Sequence, residues 1–458
     1  MSLDTVISIM ISALREDCMS DYIEDVINDK ITEIKEKKNL YDTGRVMRIV
    51  DYIVEVRGLE NVFFFEEVHI GNKAVGYVSK INDSSVIISI VKQFDDIFIN
   101  DEVRSSKKMF QMNFSPKSIG HVIDLFGIDK TTGKKFDDCF KLDIDNPTIP
   151  IMERRAVNRP LYTGVSGIDL LYPIGKGQRQ LVIGDKKTGK TQLCLDAINN
   201  QNGKDVLCIY IAIGKTKKNI KDIYNQLAKK GALSYTIILT ADNDEKAPVL
   251  SLTPYAGLSI AEKCMKEGMD VLVVIDDLKR HADVYREISI LSGKEPGRDA
   301  YPSDIFYTHS RLLEKGCQYE GGGSITILPI CETKGGDITD YISTNIISIT
   351  DGQIVLSKKN FDKGQKPAID YGLSVSRLGG AVQEKSMKKV GANVKRELLS
   401  YLETREIYEL ANIDDMGAEL QNKLLRGQEL LNNFNQYKFS PREPEQILAT
   451  FTSIMGDE

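Results

Sequence analysis

The sequence predicts an α/β protein, with a parallel sheet in a central domain, a small β-barrel before it and a short helical domain after it. Between about Gly120 and Ile369, apolar strand-like runs alternate with helical stretches, which is typical of a parallel sheet with crossover helices. From Thr43 onward, short β-rich runs follow one another closely, which favours a barrel. Beyond Gly391, apolar residues recur at helical spacing.

The predicted secondary structure changes from helix to strand near residue 43. Residues 5–38 carry apolar side chains at helical spacing, so residues 1–42 are predicted to be a helical extension. Residues 43–108 are predicted to form the barrel, with turn signals such as Gly71-Asn72 and Asn82-Asp83 between the strands. The predicted strands cover residues 45–56, 61–70, 73–80 and 85–92.

The central domain is predicted over residues 109–385, and the short helical domain over residues 386–458. A length of 458 residues suggests roughly three domains. The strands of the central sheet are predicted at residues 180–183, 206–213, 236–240, 271–275, 324–329 and 346–350.

Composition excludes several classes of protein. The chain has 60 basic and 66 acidic residues and a net charge of −6, which does not suit a general nucleic-acid binder. No apolar run reaches the roughly 18 residues of a membrane-spanning helix, and the N-terminus lacks the pattern of a signal peptide. Seven scattered cysteines without a CxxC pair favour reduced thiols. We therefore expect a cytoplasmic protein without a nucleic-acid partner.

The strongest motif is a phosphate-binding loop that matches the pattern GxxxxGK[ST]. It lies between the predicted strand 180–183 and a predicted helix over residues 192–199, as such a loop must. Backbone N–H groups of the loop and the start of the helix favour phosphate. Lys190 is expected to reach the β- and γ-phosphates of ATP or ADP, and the Thr191 hydroxyl to ligate Mg²⁺. The predicted nucleotide-binding residues are Gly184, Asp185, Lys186, Lys187, Thr188, Gly189, Lys190, Thr191 and Gln192.

A second motif is expected to supply a carboxylate on the metal side of the nucleotide. The predicted strand 271–275 ends in Asp276 and Asp277. Asp276 is predicted to orient Mg²⁺ or to hold a Mg²⁺-bound water. Many strands end in Asp at a turn, but this one follows the phosphate-binding loop within the same α/β domain, which strengthens the prediction.

Together with these motifs, further segments resemble the α subunits of the F-type ATP synthase family. The resemblance is dense from about residue 150 to residue 400 and thinner outside that region. Its segments cover residues 162–164, 167–169, 173–179, 254–257, 296–302, 309–314, 321–324, 344–345, 349–354 and 372–377.

The resemblance implies a hexamer of alternating α and β subunits around a rotating γ-type shaft, peripheral to the cytoplasmic face of the cell membrane. The family's fold is an N-terminal barrel, a RecA-like P-loop nucleotide domain and a C-terminal helical domain. This order agrees with the order of domains predicted above. In this family the catalytic sites lie mainly on β, and α holds Mg-nucleotide without hydrolysing it. The N-terminal region normally docks the peripheral stalk.

Residues 211–218 support the α assignment. ATP hydrolysis needs a group that polarises the attacking water, and catalytic β subunits carry a Glu directly after a strand and a glycine. Here Gly214 is followed by Lys215, and the stretch has no carboxylate. A protonated lysine cannot act as the base, so the site is predicted to bind ATP without turnover. The basic run 215–218 with Lys221 is expected to be a solvated face or a subunit contact.

The resemblance also assigns roles to residues outside the loop. Arg377 matches the family's arginine finger, which reaches the γ-phosphate in the neighbouring β site and is worth about 10³–10⁵ in turnover. Phe361 and Pro367 match apolar contacts of the adenine pocket, and Gln436 matches a hydrogen bond to the base. A second glutamine expected two positions later is Lys438 here, so the base contacts are expected to differ.

Three departures from the family pattern bear on the role of the chain. The segment before the barrel is longer and more acidic than is expected of the family. Residues 109–115 lack the Gly-rich sequence expected before Gly120, and the C-terminal domain is short by several helices. Docking of the peripheral stalk, or of another adaptor, and coupling to rotation are therefore open. A diverged mollicute-type paralogue that serves motility or another non-synthase role stays an alternative.

Two further classes of protein stay open. A homohexameric translocase, Rho-like or of the secretion type, predicts a catalytic Glu after the strand 206–213 and aromatic loops that stack on nucleic acid, and neither is evident. A structural ring subunit that nucleotide merely stabilises predicts that Arg377→Ala leaves the turnover of the complex unchanged.

Overall fold

The computed structural model describes residues 42–407 and 418–456 of the chain. The predicted helical extension over residues 5–38 lies outside the described residues.

The first described domain is a closed barrel of six antiparallel strands, so the prediction of a small N-terminal barrel is confirmed. Its strands are β1 (Thr43–Val50), β2 (Ile53–Arg57), β3 (Glu66–Ile70), β4 (Ala74–Ile81), β5 (Val86–Gln93) and β6 (Glu102–Met109). They pair in the closed order β1-β2-β5-β4-β3-β6, which leaves no open sheet edge. Alternate residues of the strands, among them Val46, Val54 and Val103, have no solvent exposure and fill the interior.

Two of the predicted barrel strands have different bounds in the structure. The predicted strand 45–56 is divided into β1 and β2, because the chain turns at Asp51, whose φ is +54°. The predicted strand 61–70 begins only at Glu66, after Phe65, whose φ is +64°. Residues with positive φ interrupt the extended backbone that a strand requires.

The central domain is built on a ten-stranded sheet, which confirms the predicted α/β class. The remaining strands within the described residues are β7 (Gln111–Phe114), β8 (Val122–Ile123), β9 (Phe140–Asp143), β10 (Arg154–Arg155), β11 (Pro160–Leu161), β12 (Ile174–Gly175), β13 (Leu181–Asp185), β14 (Val206–Lys215), β15 (Thr236–Asp242), β16 (Asp270–Asp276), β17 (Cys317–Tyr319), β18 (Ser324–Thr333), β19 (Gly352–Leu356) and β20 (Val375–Ser376). The main sheet has the order β20-β19-β13-β18-β16-β14-β15-β8, with β17 beside β18 and β10 beside β17. From β19 to β8 the neighbours in this order are parallel, and the edge strand β20 is antiparallel to β19.

Helices connect and cover the strands. They are α1 (Ser166–Leu171), α2 (Lys190–Asn199), α3 (Lys217–Lys229), α4 (Ala247–Lys266), α5 (Leu278–Leu291), α6 (Ile305–Leu313), α7 (Tyr341–Ile349), α8 (Lys358–Asp362), α9 (Lys385–Ile407), α10 (Ala418–Phe434) and α11 (Pro444–Met455). The last three pack together and against α1, with Leu398, Leu430, Phe434 and Phe451 buried between them. These helices are the predicted C-terminal helical domain.

The strand predicted at residues 346–350 is wrong, because these residues lie at the end of α7. Ile342 and Ile346 are buried four residues apart, which is the spacing of one helix face. The side chain of Asp340 accepts a hydrogen bond of 3.1 Å from the Ser343 N–H and caps the helix. The strand of this region is β19, which begins at Gly352.

The parallel strands end at one edge of the sheet, and this positions the candidate site. In the register, Gly184 of β13 lies beside Glu332 of β18, and Ala212 of β14 lies beside Asp276 of β16. Ligands of open α/β sheets bind at the carboxyl ends of such strands. Among the described residues, no helix has both the length and the apolar character needed to span a bilayer.

Candidate functional site

The predicted phosphate-binding loop joins β13 to α2. Gly189, the residue before the helix, has a φ of +101°, a conformation that a residue with a side chain rarely adopts. The Thr188 hydroxyl donates a hydrogen bond of 2.9 Å to the Asp185 carbonyl and closes the turn. The first N–H groups of α2 have no partner within the helix, so they can bind an anion.

Lys190 is the first residue of α2, and its side chain folds back over the loop. Its Nζ donates to the carbonyl oxygens of Gly184, at 2.8 Å, and Asp185, at 2.5 Å. Burial lowers the pKa of Lys190, against the opposite effect of nearby carboxylates. The loop therefore holds an ammonium group where the phosphates of a nucleotide are expected.

A cavity of about 740 Å³ lies beside the loop. This volume is within the range of about 300–1,000 Å³ that is usual for small-molecule and cofactor sites. Residues 187–192 of the loop, the predicted metal-side residue Asp276, and the predicted adenine contacts Phe361, Pro367 and Gln436 all line it. The structure thus brings together residues that are far apart in the sequence.

The first three residues of the predicted motif lie outside this cavity. The Asp185 carboxylate accepts hydrogen bonds from the Thr333 hydroxyl, at 2.7 Å, and the Gly336 N–H, at 2.8 Å, so it anchors the loop to the end of β18. Lys186 Nζ lies 3.4 Å from a Glu332 carboxylate oxygen. Gly184 and Asp185 line a neighbouring cavity of about 390 Å³. The side chains of Asp185 and Lys186 therefore shape the loop from outside.

On the metal side, Asp276 accepts two hydrogen bonds on one oxygen. The Thr191 hydroxyl lies 2.8 Å from Oδ2, and the Tyr210 hydroxyl lies 2.5 Å from the same atom. The other oxygen, Oδ1, is buried and faces the ammonium group of Lys215. A hydroxyl and a carboxylate are oxygen ligands that suit Mg²⁺, which binds proteins through one or two carboxylates plus substrate phosphates.

Lys215 lies against this carboxylate, and its placement was not foreseen. Its Nζ lies 2.6 Å from Asp276 Oδ1 and 3.7 Å from Asp277 Oδ2, and its side chain is only 22 % exposed. For Lys215 the expected solvated face is therefore wrong, and the alternative of a subunit contact stays a prediction. The turn at Gly214, with a φ of +62°, and the shift of register between Ile213 and Lys215 accompany this placement.

Burial and charge act in opposite directions on this ion pair. Burial alone would lower the pKa of Lys215, but the carboxylates of Asp276 and Asp277 outweigh it and raise the pKa. Burial raises the pKa of Asp277 to about 6, the Asp276 charge adds to the shift, and Lys215 opposes it. The lysine is therefore a cation at neutral pH.

At the other end of the cavity, the amide of Gln436 already has partners within the chain. Its Nε2 donates to the carbonyl oxygens of Gly164, at 2.6 Å, and Ser440, at 2.7 Å, and its Oε1 accepts from the Ser166 N–H at 3.1 Å. Phe361, on α8, is 36 % exposed and lines the cavity. Gln436 ties the C-terminal helices to α1.

Arg377 lies away from the cavity of its own chain. It follows the edge strand β20 and is exposed, its backbone N–H donates to the Asp351 carbonyl at 2.9 Å, and its guanidinium donates to the Thr350 carbonyl at 3.3 Å. An arginine at the edge of the sheet can contact a second chain.

Lys215 and Glu332 are among the cavity residues that were not predicted from the sequence as site residues. Glu332 lies near the end of β18, beside Gly184 of the loop strand, and lines the cavity. The signal that found Asp276, an acid at the end of a buried strand, also applies to Glu332. The sequence places Lys215 after Gly214, where catalytic β subunits carry a Glu, but it carries no signal for the ion pair with Asp276.

Comparisons with known proteins agree with this geometry. Residues 164–376 match the family described as the ATP synthase alpha/beta family, nucleotide-binding domain. The chain is 41 % identical over 438 residues to the ATP synthase subunit alpha of Mesomycoplasma hyopneumoniae strain J. The match covers 94 % of this chain and 86 % of that relative.

Proposed function

The chain belongs to the F-type ATP synthase α-subunit family, and on this premise we propose that it is a non-catalytic subunit that binds Mg-ATP or Mg-ADP without turnover. It alternates with β-type catalytic subunits in a six-membered ring around a γ-type shaft, and it supplies Arg377 to the adjacent β site. The complex hydrolyses or synthesises ATP, and the ring lies at the cytoplasmic face of the cell membrane. Its N-terminal region faces the peripheral stalk or another adaptor.

The observation that carries the non-catalytic role is the position of Lys215. A water-activating carboxylate is expected directly after Gly214, at the last residue of β14, and here that residue is a lysine held by Asp276 and Asp277. An ammonium group that is paired with two carboxylates cannot take a proton from water. The site keeps the groups that bind phosphate and lacks the base.

Two other acids line the cavity, and their contacts do not suit a general base. Glu332 lies 3.4 Å from Lys186 at the loop. Asp196 accepts hydrogen bonds from Gln192 Nε2, at 2.9 Å, and the Phe439 N–H, at 2.8 Å. Each is therefore occupied with a structural partner.

The described residues also suit Mg²⁺. The Thr191 hydroxyl and the Asp276 carboxylate would hold the ion, which neutralises phosphate charge when it is bound. Lys190 and the N–H groups of the loop bind the β- and γ-phosphates, and the apolar wall at Phe361 and Pro367 receives the base. These contacts hold the nucleotide in the site, and no reaction follows.

Arg377 acts on the neighbouring subunit. A guanidinium that reaches the γ-phosphate of a neighbouring site stabilises the charge that develops in the transition state. Its exposed position beside β20, outside the cavity of its own chain, supports a role in trans.

The experiment is to measure binding and hydrolysis of Mg-ATP by the purified full chain, alone and after reconstitution with a β-type partner. We expect saturable binding with negligible hydrolysis by the chain alone, and turnover only with the partner. Robust hydrolysis by the chain alone would overturn the proposal. In that case, the variants Glu332→Gln and Asp196→Asn would show which acid serves as the base.

A further inference from the structure

The metal side of the cavity already holds a cation of the protein. Lys215 Nζ lies 2.6 Å from Asp276 Oδ1 and forms an ion pair with it. Oδ2 of the same carboxylate is occupied by the hydroxyls of Thr191 and Tyr210. Both oxygens of the carboxylate are therefore engaged before any ion arrives.

The ammonium group is held in place from two sides. Asp277 Oδ2 lies 3.7 Å from it, and both carboxylates are buried at the end of β16. An ammonium has three donors, and the two carboxylates use at most two of them. Since Lys215 lines the cavity together with Lys190 and Thr191, the third donor is available to a phosphate oxygen.

The overall charge of the cavity favours an uncomplexed polyanion. Five lysines and four acidic residues line it, so the lysines alone can neutralise all of the acids. A divalent ion that enters between Thr191 and Asp276 lies at Oδ2, and the Lys215 ammonium lies at Oδ1 of the same carboxylate, so the two cations repel each other. A polyphosphate without a metal ion instead gains a partner there.

We propose that Lys215 is a built-in counter-cation of the nucleotide site, and that it lets the chain bind ATP and ADP without a divalent metal almost as well as with one. This inference rests on the proposed function, because it concerns the same nucleotide site. It concerns the affinity of the site and assigns no step of a reaction to Lys215.

The test measures the dissociation constants of ATP by isothermal titration calorimetry, with Mg²⁺ and with excess EDTA, for the full chain and for Lys215→Gln. In the unmodified chain, removal of the metal is expected to weaken binding less than about tenfold. In Lys215→Gln, metal-free binding is expected to weaken by a further factor of about ten or more, the effect of one charge-assisted hydrogen bond. Binding of Mg-ATP is expected to hold or improve, because the competing charge is gone.

Two further variants control the comparison. Lys217→Gln removes a lysine two positions away, whose side chain is 72 % exposed and pairs with Asp244 outside the cavity, and it should leave both constants unchanged. Lys215→Arg keeps the charge and should keep the low metal dependence. Circular dichroism shows whether Lys215→Gln remains folded, and the metal dependence of the unmodified chain tests the proposal without any variant.

The outcomes separate this proposal from the function of the chain. A loss of more than about a hundredfold in affinity on metal removal in the unmodified chain, some 3 kcal/mol, would overturn the role of Lys215. An equal metal dependence in the unmodified chain and in Lys215→Gln would also overturn it. Both of these results leave nucleotide binding intact. If the unmodified chain binds no ATP in either condition, the proposed function fails as well.

Discussion

The hydroxyl of Thr191 donates a hydrogen bond of 2.8 Å to Asp276 Oδ2, although the two residues are 85 positions apart in the chain. Thr191 belongs to the first turn of α2, and Asp276 is the last residue of β16. The contact joins the phosphate-binding loop to the metal side of the cavity. It also means that a change on one side of the site will affect the other.

The first prediction concerns Lys190. We expect Lys190→Gln to weaken binding of Mg-ATP by about 10- to 100-fold, because a charged hydrogen bond to the phosphates contributes about 1.5–3 kcal/mol. Calorimetry of the full chain measures the effect. Lys229→Gln, at the exposed end of α3, is the matched control and should bind Mg-ATP normally. Equal affinities for the two variants would contradict the role of Lys190.

The second prediction concerns Arg377. In the complex with a β-type partner, Arg377→Ala should lower ATP turnover by about 10³-fold or more, since an arginine finger is worth about 10³–10⁵. The ATP affinity of the isolated chain should stay the same, because Arg377 lies outside its cavity. Arg396→Ala, exposed on α9, should change neither quantity. Unchanged turnover in Arg377→Ala would instead favour a structural ring subunit without a catalytic contribution.

The third prediction concerns Gln436, whose amide bonds to Gly164, Ser166 and Ser440. Gln436→Ala should lower the free energy of unfolding by about 1–3 kcal/mol, because it leaves backbone groups without a partner. ATP and GTP affinities should decrease by similar factors. Chemical denaturation and calorimetry with both nucleotides provide the measurements. A selective loss of ATP affinity at full stability would show that Gln436 recognises the base directly.

The fourth prediction concerns pH and the buried pair His281 and His309. His281 Nε2 donates to the Ser251 carbonyl at 3.1 Å, and its Nδ1 lies 3.4 Å from His309 Nε2. If both of these facing nitrogens carried a proton, neither could accept a hydrogen bond from the other. Burial lowers the pKa of His281 to about 4, and burial also lowers the pKa of His309.

Since the unfolded chain binds protons at a higher pH than the folded chain, stability is present above about pH 6.5 and is lost as the pH falls towards 4. His281 alone accounts for about 3 kcal/mol. Denaturation curves across this range should show that the free energy of unfolding decreases as the pH falls. The variant His281→Gln should reduce the slope of the free energy of unfolding against pH. A stability that is independent of pH over this range would contradict the prediction.

Most of the fold could be predicted from the sequence because its signals are local. The barrel was recognisable from closely spaced short strands, and the central sheet from the alternation of apolar runs with helical stretches. The segment 346–350 was assigned wrongly, because a five-residue apolar run fits a strand and the last turn of a helix equally well. The deciding features were the Asp340 cap and the burial of Ile342 and Ile346, which precede the run or lie at its start.

Three parts of the candidate site can be predicted from adjacent residues alone: the phosphate-binding loop, the acid at the end of β16, and the absence of a carboxylate after Gly214. Each of these depends on a few adjacent residues whose backbone conformation or position after a strand is a local property. Only the tertiary structure decided that Lys215 neutralises Asp276, that Gln436 binds the backbone beside α1, and that Arg377 lies outside the cavity of its own chain. The physical reason is that ion pairs, burial and exposure depend on which strand ends and helices meet in space, and those elements are far apart in the chain.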